Sequence, residues 1–238
     1  MMKNKKFYAA AGLVVLICAA AAGFYFSSLA YRLDRLAAGK DCRVGAAVVA
    51  GSRSFVHEEG KYPLLSVFKL FIAVRVLDEL ERENADPDKV ELTITRDMID
   101  ERTYSPMRDE RRTYPYGISV ARLLEYMVAE SDNNAADILL AYTGGTEQMQ
   151  AYLKRLGFGE IEVSANEKEM NADIAKQYVN RASPADVVRF LKTMREGDIL
   201  TPENRKFFDQ IMTATVTGGD KLKARTRSRA AAGNGFRA

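Results

Sequence analysis

Leu65-Ser66-Val67-Phe68-Lys69 opens the apolar run Leu70-Phe71-Ile72-Ala73-Val74-Arg75-Val76-Leu77. Pro63 and Ser66 are helix-start signals, and the spacing predicts a helix from Ser66 that ends among the charges of Asp78 to Arg82. The run is apolar on almost every side, which marks a helix buried in a core. Lys69 then sits one turn into that helix, close to the end of the macrodipole that repels a cation. Burial and dipole both disfavour the ammonium and predict a lowered pKa. At i, i+3 its amine shares a face with the Ser66 hydroxyl. A lysine ready to give up its proton beside a serine is one way to activate a serine nucleophile. The same residues also suit an N-cap serine followed by a lysine that snorkels to water, and the stretch alone leaves both readings open.

The 238 residues fit one large domain or two intertwined subdomains, and 47% hydrophobic with 28% charged is the balance of a globular protein. A net charge of +3, with no basic stripe of interleaved aromatics ahead of the tail, gives no ground for a nucleic-acid partner. One histidine, His57, and two cysteines, Cys18 and Cys42, exclude a His/Cys zinc site and leave His57 as the only histidine base. His57 follows Phe55 and Val56 in an expected strand and reads as structural. There is no G-x-S-x-G elbow.

Residues 1–22 read as an export leader: Lys3, Lys5 and Lys6 form a positive start, Phe7 to Cys18 an apolar stretch, and small residues follow. Cleavage is expected after Ala22. The alternative is an uncleaved anchor reaching to about residue 30, since the apolar stretch is nearly long enough to span a bilayer. Residues Val15-Leu16-Ile17 before Cys18 do not read as a lipoprotein signal. After cleavage one cysteine remains, so no internal disulfide is expected, and the location is periplasmic or otherwise exported.

Leu29, Leu33 and Leu36 make a short helical stripe closed by Gly39. Residues 43–50 read as a buried strand, and 54–57 pair back on it as a hairpin. Val90 to Thr95 forms a short strand, followed by a polar, turn-rich segment from Arg102 to Tyr116. Ser119 caps a helix carrying Val120, Leu123, Leu124, Met127 and Val128. That helix breaks at Glu130-Ser131-Asp132-Asn133, and a second runs through Ala135 to Leu140. A third spans about Glu147 to Leu156. Phe158 to Val179 shows no period and reads as a long irregular loop, a kind of segment that is usually functional. Ser183-Pro184 and Thr201-Pro202 open the last two helices. Residues 225–238 (RTRSRAAAGNGFRA) have no structural period.

Three short signals line up in order: Ser66-x-x-Lys69, Ser131-Asp132-Asn133, and Glu167-Lys168-Glu169-Met170-Asn171. Alone, the second is an ordinary helix cap and the third a run of solvated loop charges. Together they resemble the class A serine β-lactamases, whose set is S-x-x-K, S-D-N, a loop E-x-x-x-N and K-T-G. Tyr104-Ser105-Pro106, Gly144-Gly145 and the run from Thr217 to Lys223 are supporting matches. The 36-residue step from Ser131 to Glu167 suits the family. The likeness covers about residues 30–224, and the Ser-Val-Phe-Lys and Glu-Met-Asn wording is closest to the extended-spectrum cephalosporinase branch.

The resemblance implies an α/β, transpeptidase-like fold: an all-helical subdomain packed on an antiparallel sheet with flanking helices. It implies that Ser66 is acylated by the β-lactam carbonyl and that Lys69 helps take its proton, with either Lys69 or Glu167 as the acylation base. Ser131 would relay a proton to the leaving nitrogen, and Asn133 would hold the substrate's side-chain amide. Tyr104 would wall the cleft, and Glu167 with Asn171 would position the deacylating water. It also implies no cofactor or metal, a small-molecule β-lactam partner, and a monomer that meets a membrane only through an uncleaved leader.

Two departures stand out. Typical members pin the loop with an Arg two residues before the Glu and an Asp near the loop's end; here those positions are Ala165 and Asn180. No Lys-Thr-Gly follows Ser131. The chain turns past Lys223 into the patternless tail, which reads as a frameshifted or truncated coding sequence lacking its C-terminal strands and helix. Weak or absent activity of this polypeptide is the expectation from that reading. The alternatives are a penicillin-binding peptidase, which shares S-x-x-K but lacks the deacylating Glu, and an inactive remnant or binding module of the same fold.

Overall fold

Residues 29–37, which carry the leucine stripe, form helix α1, and Gly39 (φ +73°) follows its end. The computed structural model describes residues 29–197 and 199–217, with Ile17, Ala20, Gly23 and Phe24. The leader's cleavage site, Cys18 and the tail 225–238 lie outside the described residues. Among the described residues no helix is long and apolar enough to cross a membrane.

The chain divides into two compact units. The first holds the described residues up to Lys61 together with Ser183–Val188. Here β1 (Ala46–Ala50) pairs antiparallel with β2 (Arg53–His57), from Ala46 opposite His57 to Ala50 opposite Arg53. Gly51, at φ +60°, makes the left-handed turn that a side chain would resist. His57, read from the sequence as structural, has its Nε2 3.3 Å from Asp34 Oδ1. The expectation of a buried strand over 43–50 is corrected. The strand begins at Ala46, and Val48 and Val49 are 46% and 39% exposed. Successive strand side chains point to opposite faces, so the exposure of both Val48 and Val49 shows that neither face of the hairpin is covered there among the described residues.

The second unit holds Tyr62–Ala182 and the described residues from Arg189. β3 (Tyr62–Pro63) leads into a 3₁₀ turn, Leu65–Phe68, and then helix α2, Lys69–Arg82. From Lys69 to Leu80 only Glu79 escapes burial, as the all-round apolar run requires. One buried polar group serves that helix's neighbours. Arg75 donates to the carbonyls of Thr143 and Gln148 and lies 5.5 Å over the Tyr152 ring. Thr143 is the C-cap of the helix Asn133–Tyr142, where a helix end leaves carbonyls without intrahelical partners. The buried guanidinium supplies a donor there and ties it to the first turn of the helix Gly145–Arg155.

β4 (Glu91–Ile94) pairs with β5 (Tyr116–Ser119), a strand that the turn-rich reading of 102–116 stopped short of. Between them lies the short helix α3, Pro106–Glu110. Ser119 caps α4 (Val120–Ala129) as expected, accepting from Arg122 N. α5 is Asn133–Tyr142, α6 Gly145–Arg155, and α7 Glu167–Ala172. β6 (Arg181–Ala182) returns to β3, with Tyr62 opposite Ala182. α8 (Pro184–Glu196) and α9 (Pro202–Thr213) follow, the latter capped by Thr201. Phe190 meets Phe71 and Phe158 edge-on at 4.9 and 5.2 Å, closing the core over α2.

The expected irregular loop 158–179 contains α7 and a 3₁₀ turn, Ile174–Tyr178. Six residues carry too little apolar periodicity to announce a helix. What makes it is a capping box: Asn166 accepts from Glu169 N, and Glu169 accepts from Asn166 N.

Candidate active site

Ser66 lies exposed on the 3₁₀ turn, and the N-cap reading of it fails: the turn and α2 have Leu64 and Phe68 at their N-cap positions, without side-chain caps. Lys69 is the first residue of α2 rather than one turn in, and it is 3% exposed, so it does not snorkel. Its Nζ donates to Ser131 O (2.7 Å), Asn133 Oδ1 (2.6 Å) and Ser131 Oγ (3.2 Å). An ammonium has three protons, and those acceptors use them. Glu167 Oε1 stands 2.9 Å from the same nitrogen and forms an ion pair with it.

The link to the nucleophile runs through a third residue. Ser131 Oγ donates to Ser66 Oγ at 3.1 Å, so the amine and the Ser66 hydroxyl are joined by the Ser131 hydroxyl. Ser131 reaches this place on a left-handed backbone, φ +59°. Asp132, not Ser131, caps α5. Its buried carboxylate accepts from Ala135 N, Met107 N and Ser105 Oγ and so ties the helix break to α3. Asn133 presents Oδ1 to Lys69 and donates Nδ2 to Thr103 Oγ1 at 2.7 Å. Tyr104 is 57% exposed, and its carbonyl accepts from Asn133 N. Asn171 is exposed on α7, and with Arg102, the larger influence, its amide holds the Asp100 carboxyl below its usual range. Ser66, Lys69, Ser131, Asn133 and Glu167 are therefore brought together, with Tyr104 alongside and Asn171 turned to Asp100.

Burial pushes the Lys69 amine below its usual range, and the Glu167, Asp132 and Asp137 carboxylates partly restore it. A buried cation whose proton is weakly held, two hydroxyls in series and a buried carboxylate together suit nucleophilic acyl chemistry. Among the described residues no cluster of three or more His, Cys, Asp or Glu side chains is placed to hold a metal ion.

A model of the β-lactamase enzyme family matches residues 28–234. The chain belongs to that family. A β-lactamase of Bacteroides uniformis is 34% identical over 200 residues, covering 83% of this chain and 67% of the relative. β-Lactamase VEB-1 of Pseudomonas aeruginosa is 31% identical, covering 82% and 67%. The chain thus spans about two thirds of the length of these curated relatives. The crystal structure of TLA-3 extended-spectrum β-lactamase superposes with a TM-score of 0.78 at 31% identity, covering 83% of this chain and 72% of that one. A class A β-lactamase from Bacteroides cellulosilyticus gives 0.76 at 33%, covering 81% and 70%. The fold is thus that of the class A β-lactamases, the transpeptidase-like fold expected.

In this β-lactamase-family chain the loop before Asn180 is held without the absent Arg–Asp pair. Asn180 is fully buried; its Oδ1 accepts from Ser164 N and Ala165 N at 2.7 and 2.9 Å, and its Nδ2 donates to Ala165 O at 2.8 Å. Asn180→Ala leaves those loop groups without partners. It is expected to lower stability by about 2–6 kcal/mol in denaturant melts, at roughly 1–3 kcal/mol for each of the two buried Ala165 groups.

Asp137 is the residue that the sequence reading missed. From α5 it accepts from Glu167 N (2.7 Å) and Lys168 N (2.9 Å), fixing the first turn of α7 and with it Glu167. A lone Asp four residues after Asn133 carries no signal until the loop folds onto it. Burial, with Glu167 nearby, raises its pKa to about 6. A carboxyl whose folded pKa lies above its unfolded value holds a proton in the fold that the unfolded chain has lost, so stability falls as pH rises between the two values. Asp137→Asn removes that penalty. Its stability relative to the parent is expected to improve from pH 4 to pH 6 and then stay level, read in urea melts across that range; a flat difference refutes the assignment.

Proposed function

We propose that this protein hydrolyses β-lactams through an acyl-enzyme on Ser66. The observation that carries this reading is the contact series Ser66 Oγ–Ser131 Oγ–Lys69 Nζ, with Glu167 closing it. Lys69, whose proton burial loosens, acts here as the neutral amine: as Ser66 Oγ attacks the lactam carbonyl, its proton passes to Ser131 Oγ and the Ser131 proton passes to Lys69 Nζ. Hydroxyls both donate and accept, so the chain can reverse its sense and deliver a proton to the departing nitrogen as the C–N bond breaks. Asn133, oriented by Lys69 and Thr103, holds the side-chain amide, and Tyr104 forms a wall of the cleft.

An ester on a serine persists unless a base delivers water to it. Glu167 is a buried carboxylate beside the acylation site, paired with the Lys69 amine at 2.9 Å, which fits it to take a proton from water. Asn171, one turn on, is proposed to help place that water. The ester then breaks, and Ser66 recovers its hydrogen. Residues 1–22 are read as the leader that exports the chain.

Rapid-quench intact-mass measurement with benzylpenicillin tests the reading. The expected result is a transient adduct of one penicillin that decays to parent mass with penicilloic acid released. A permanent adduct favours the peptidase alternative, and no adduct at any time overturns acylation.

A further inference from the structure

The loop between the 3₁₀ turn Arg96–Met98 and α3 is braced from two sides. From α3, Arg108 Nη1 donates to the carbonyls of Glu101 and Thr103, both at 2.8 Å, and to Asp100 O at 3.4 Å. Its Nε and Nη2 hold Asp109 Oδ1 at 3.1 and 3.0 Å, which fixes the plane of the guanidinium. From α5, Asn134 clasps the Asp100 backbone both ways: Asp100 N donates to Oδ1 at 2.8 Å, and Nδ2 donates to Asp100 O at 3.2 Å. Arg108 is nearly buried, with its side chain 15% exposed. A cation whose donors are spent on successive main-chain carbonyls cannot be read as a solvated surface charge.

The inner end of the braced loop touches the candidate site. Thr103 is buried, and its Oγ1 accepts from Asn133 Nδ2; Tyr104 O accepts from Asn133 N. With Oδ1 held by Lys69, the Asn133 amide has one orientation, and one N–H of Nδ2 remains for a ligand. A shift of the Thr103 carbonyl moves its hydroxyl and therefore moves that N–H.

We propose that Arg108 is a positioning residue for recognition of the substrate's acyl-amide side chain. It grips the carbonyls at 101 and 103, sets where Thr103 presents its hydroxyl, and so fixes the N–H that Asn133 offers. The inference rests on the reading of Ser66 as the acylated nucleophile and of Asn133 as the amide-holding residue. A plain loop staple would affect every substrate alike, and so would a lost positive charge. A positioning residue acts only on substrates that use Asn133.

The experiment compares benzylpenicillin with 6-aminopenicillanic acid, which has the same fused rings and carboxylate but no acyl amide. Adduct formation on the full chain is followed by rapid-quench intact mass for the parent, Arg108→Ala and Arg108→Lys. In Arg108→Ala, acylation by benzylpenicillin is expected to slow on the order of tenfold, while acylation by 6-aminopenicillanic acid changes by less than about twofold. Arg108→Lys, whose ammonium can still donate to the carbonyls, is expected to recover part of the loss for benzylpenicillin alone. Equal loss on both compounds, or no loss on either, overturns the proposal. If Arg108→Ala lacks a cooperative melt, Arg108→Lys is read by the same selective criterion. No adduct on the parent with either compound is a failure of the Ser66 reading instead.

Discussion

Glu167→Gln is expected to turn the transient penicilloyl adduct into a lasting one. Glu167 Oε1 lies 2.9 Å from Lys69 Nζ, within the cluster that holds Ser66 and Ser131, so a water that attacks the ester can pass its proton to it. Glutamine keeps the size of the side chain and can no longer act as the base. Asp137 fixes residue 167 through its backbone N–H, and that contact is indifferent to the side chain. Ester formation should therefore survive, because the Ser66–Ser131–Lys69 contacts remain and loss of the Glu167 charge moves Lys69 further towards the neutral amine that takes the proton. Loss of a positioned general base typically costs 100- to 10,000-fold, so the adduct lifetime should lengthen by about that factor. Intact mass against time gives both rates in one experiment. Unchanged decay would take the deacylating role away from Glu167.

Ser66→Ala is expected to abolish covalent labelling. Removing the nucleophile of a serine hydrolase costs on the order of a millionfold in turnover, so no adduct should accumulate over hours. The geometry gives this test a second edge. Ser131 Oγ is 3.2 Å from Lys69 Nζ, whereas Ser66 is linked to the amine only through Ser131. On proximity alone Ser131 is the better-activated hydroxyl. What favours Ser66 is exposure: it projects from the 3₁₀ turn, while Ser131 Oγ is engaged with partners on both sides. A penicilloyl mass that persists in Ser66→Ala and maps to Ser131 would reverse the two roles.

How much of this was legible depended on where each signal lies along the chain. The helices α4, α5, α6, α8 and α9 announce themselves, because each buries one face and carries a cap or a terminal glycine or proline. The α2 run was legible as buried from its composition alone. β5 was not, since Tyr116-Gly117-Ile118-Ser119 is too short to show a period and is made a strand by Glu91–Ile94 opposite it. α7 was hidden for a similar reason: Asp137, thirty residues earlier, supplies the acceptors for its first turn. The site residues were visible as three motifs, whereas the wiring among them was not. Spacing put Lys69 beside Ser66, but the side chain is drawn to Ser131 and Asn133 by acceptors that no local periodicity encodes. Asn180 likewise looked like a lost ion pair until its amide was seen serving Ser164 and Ala165.

Ser131 occupies a backbone well, φ +59°, that glycine and asparagine enter more readily than other residues. Holding serine there costs about 1 kcal/mol or more relative to glycine, so folding and chemistry make opposite demands on this codon. A saturation library at position 131 sorted only for thermal survival should enrich glycine and asparagine. The same library built on Glu167→Gln, whose adduct is expected to last, and sorted for capture by biotinylated penicillin should return to serine, with threonine held back by its branched β-carbon.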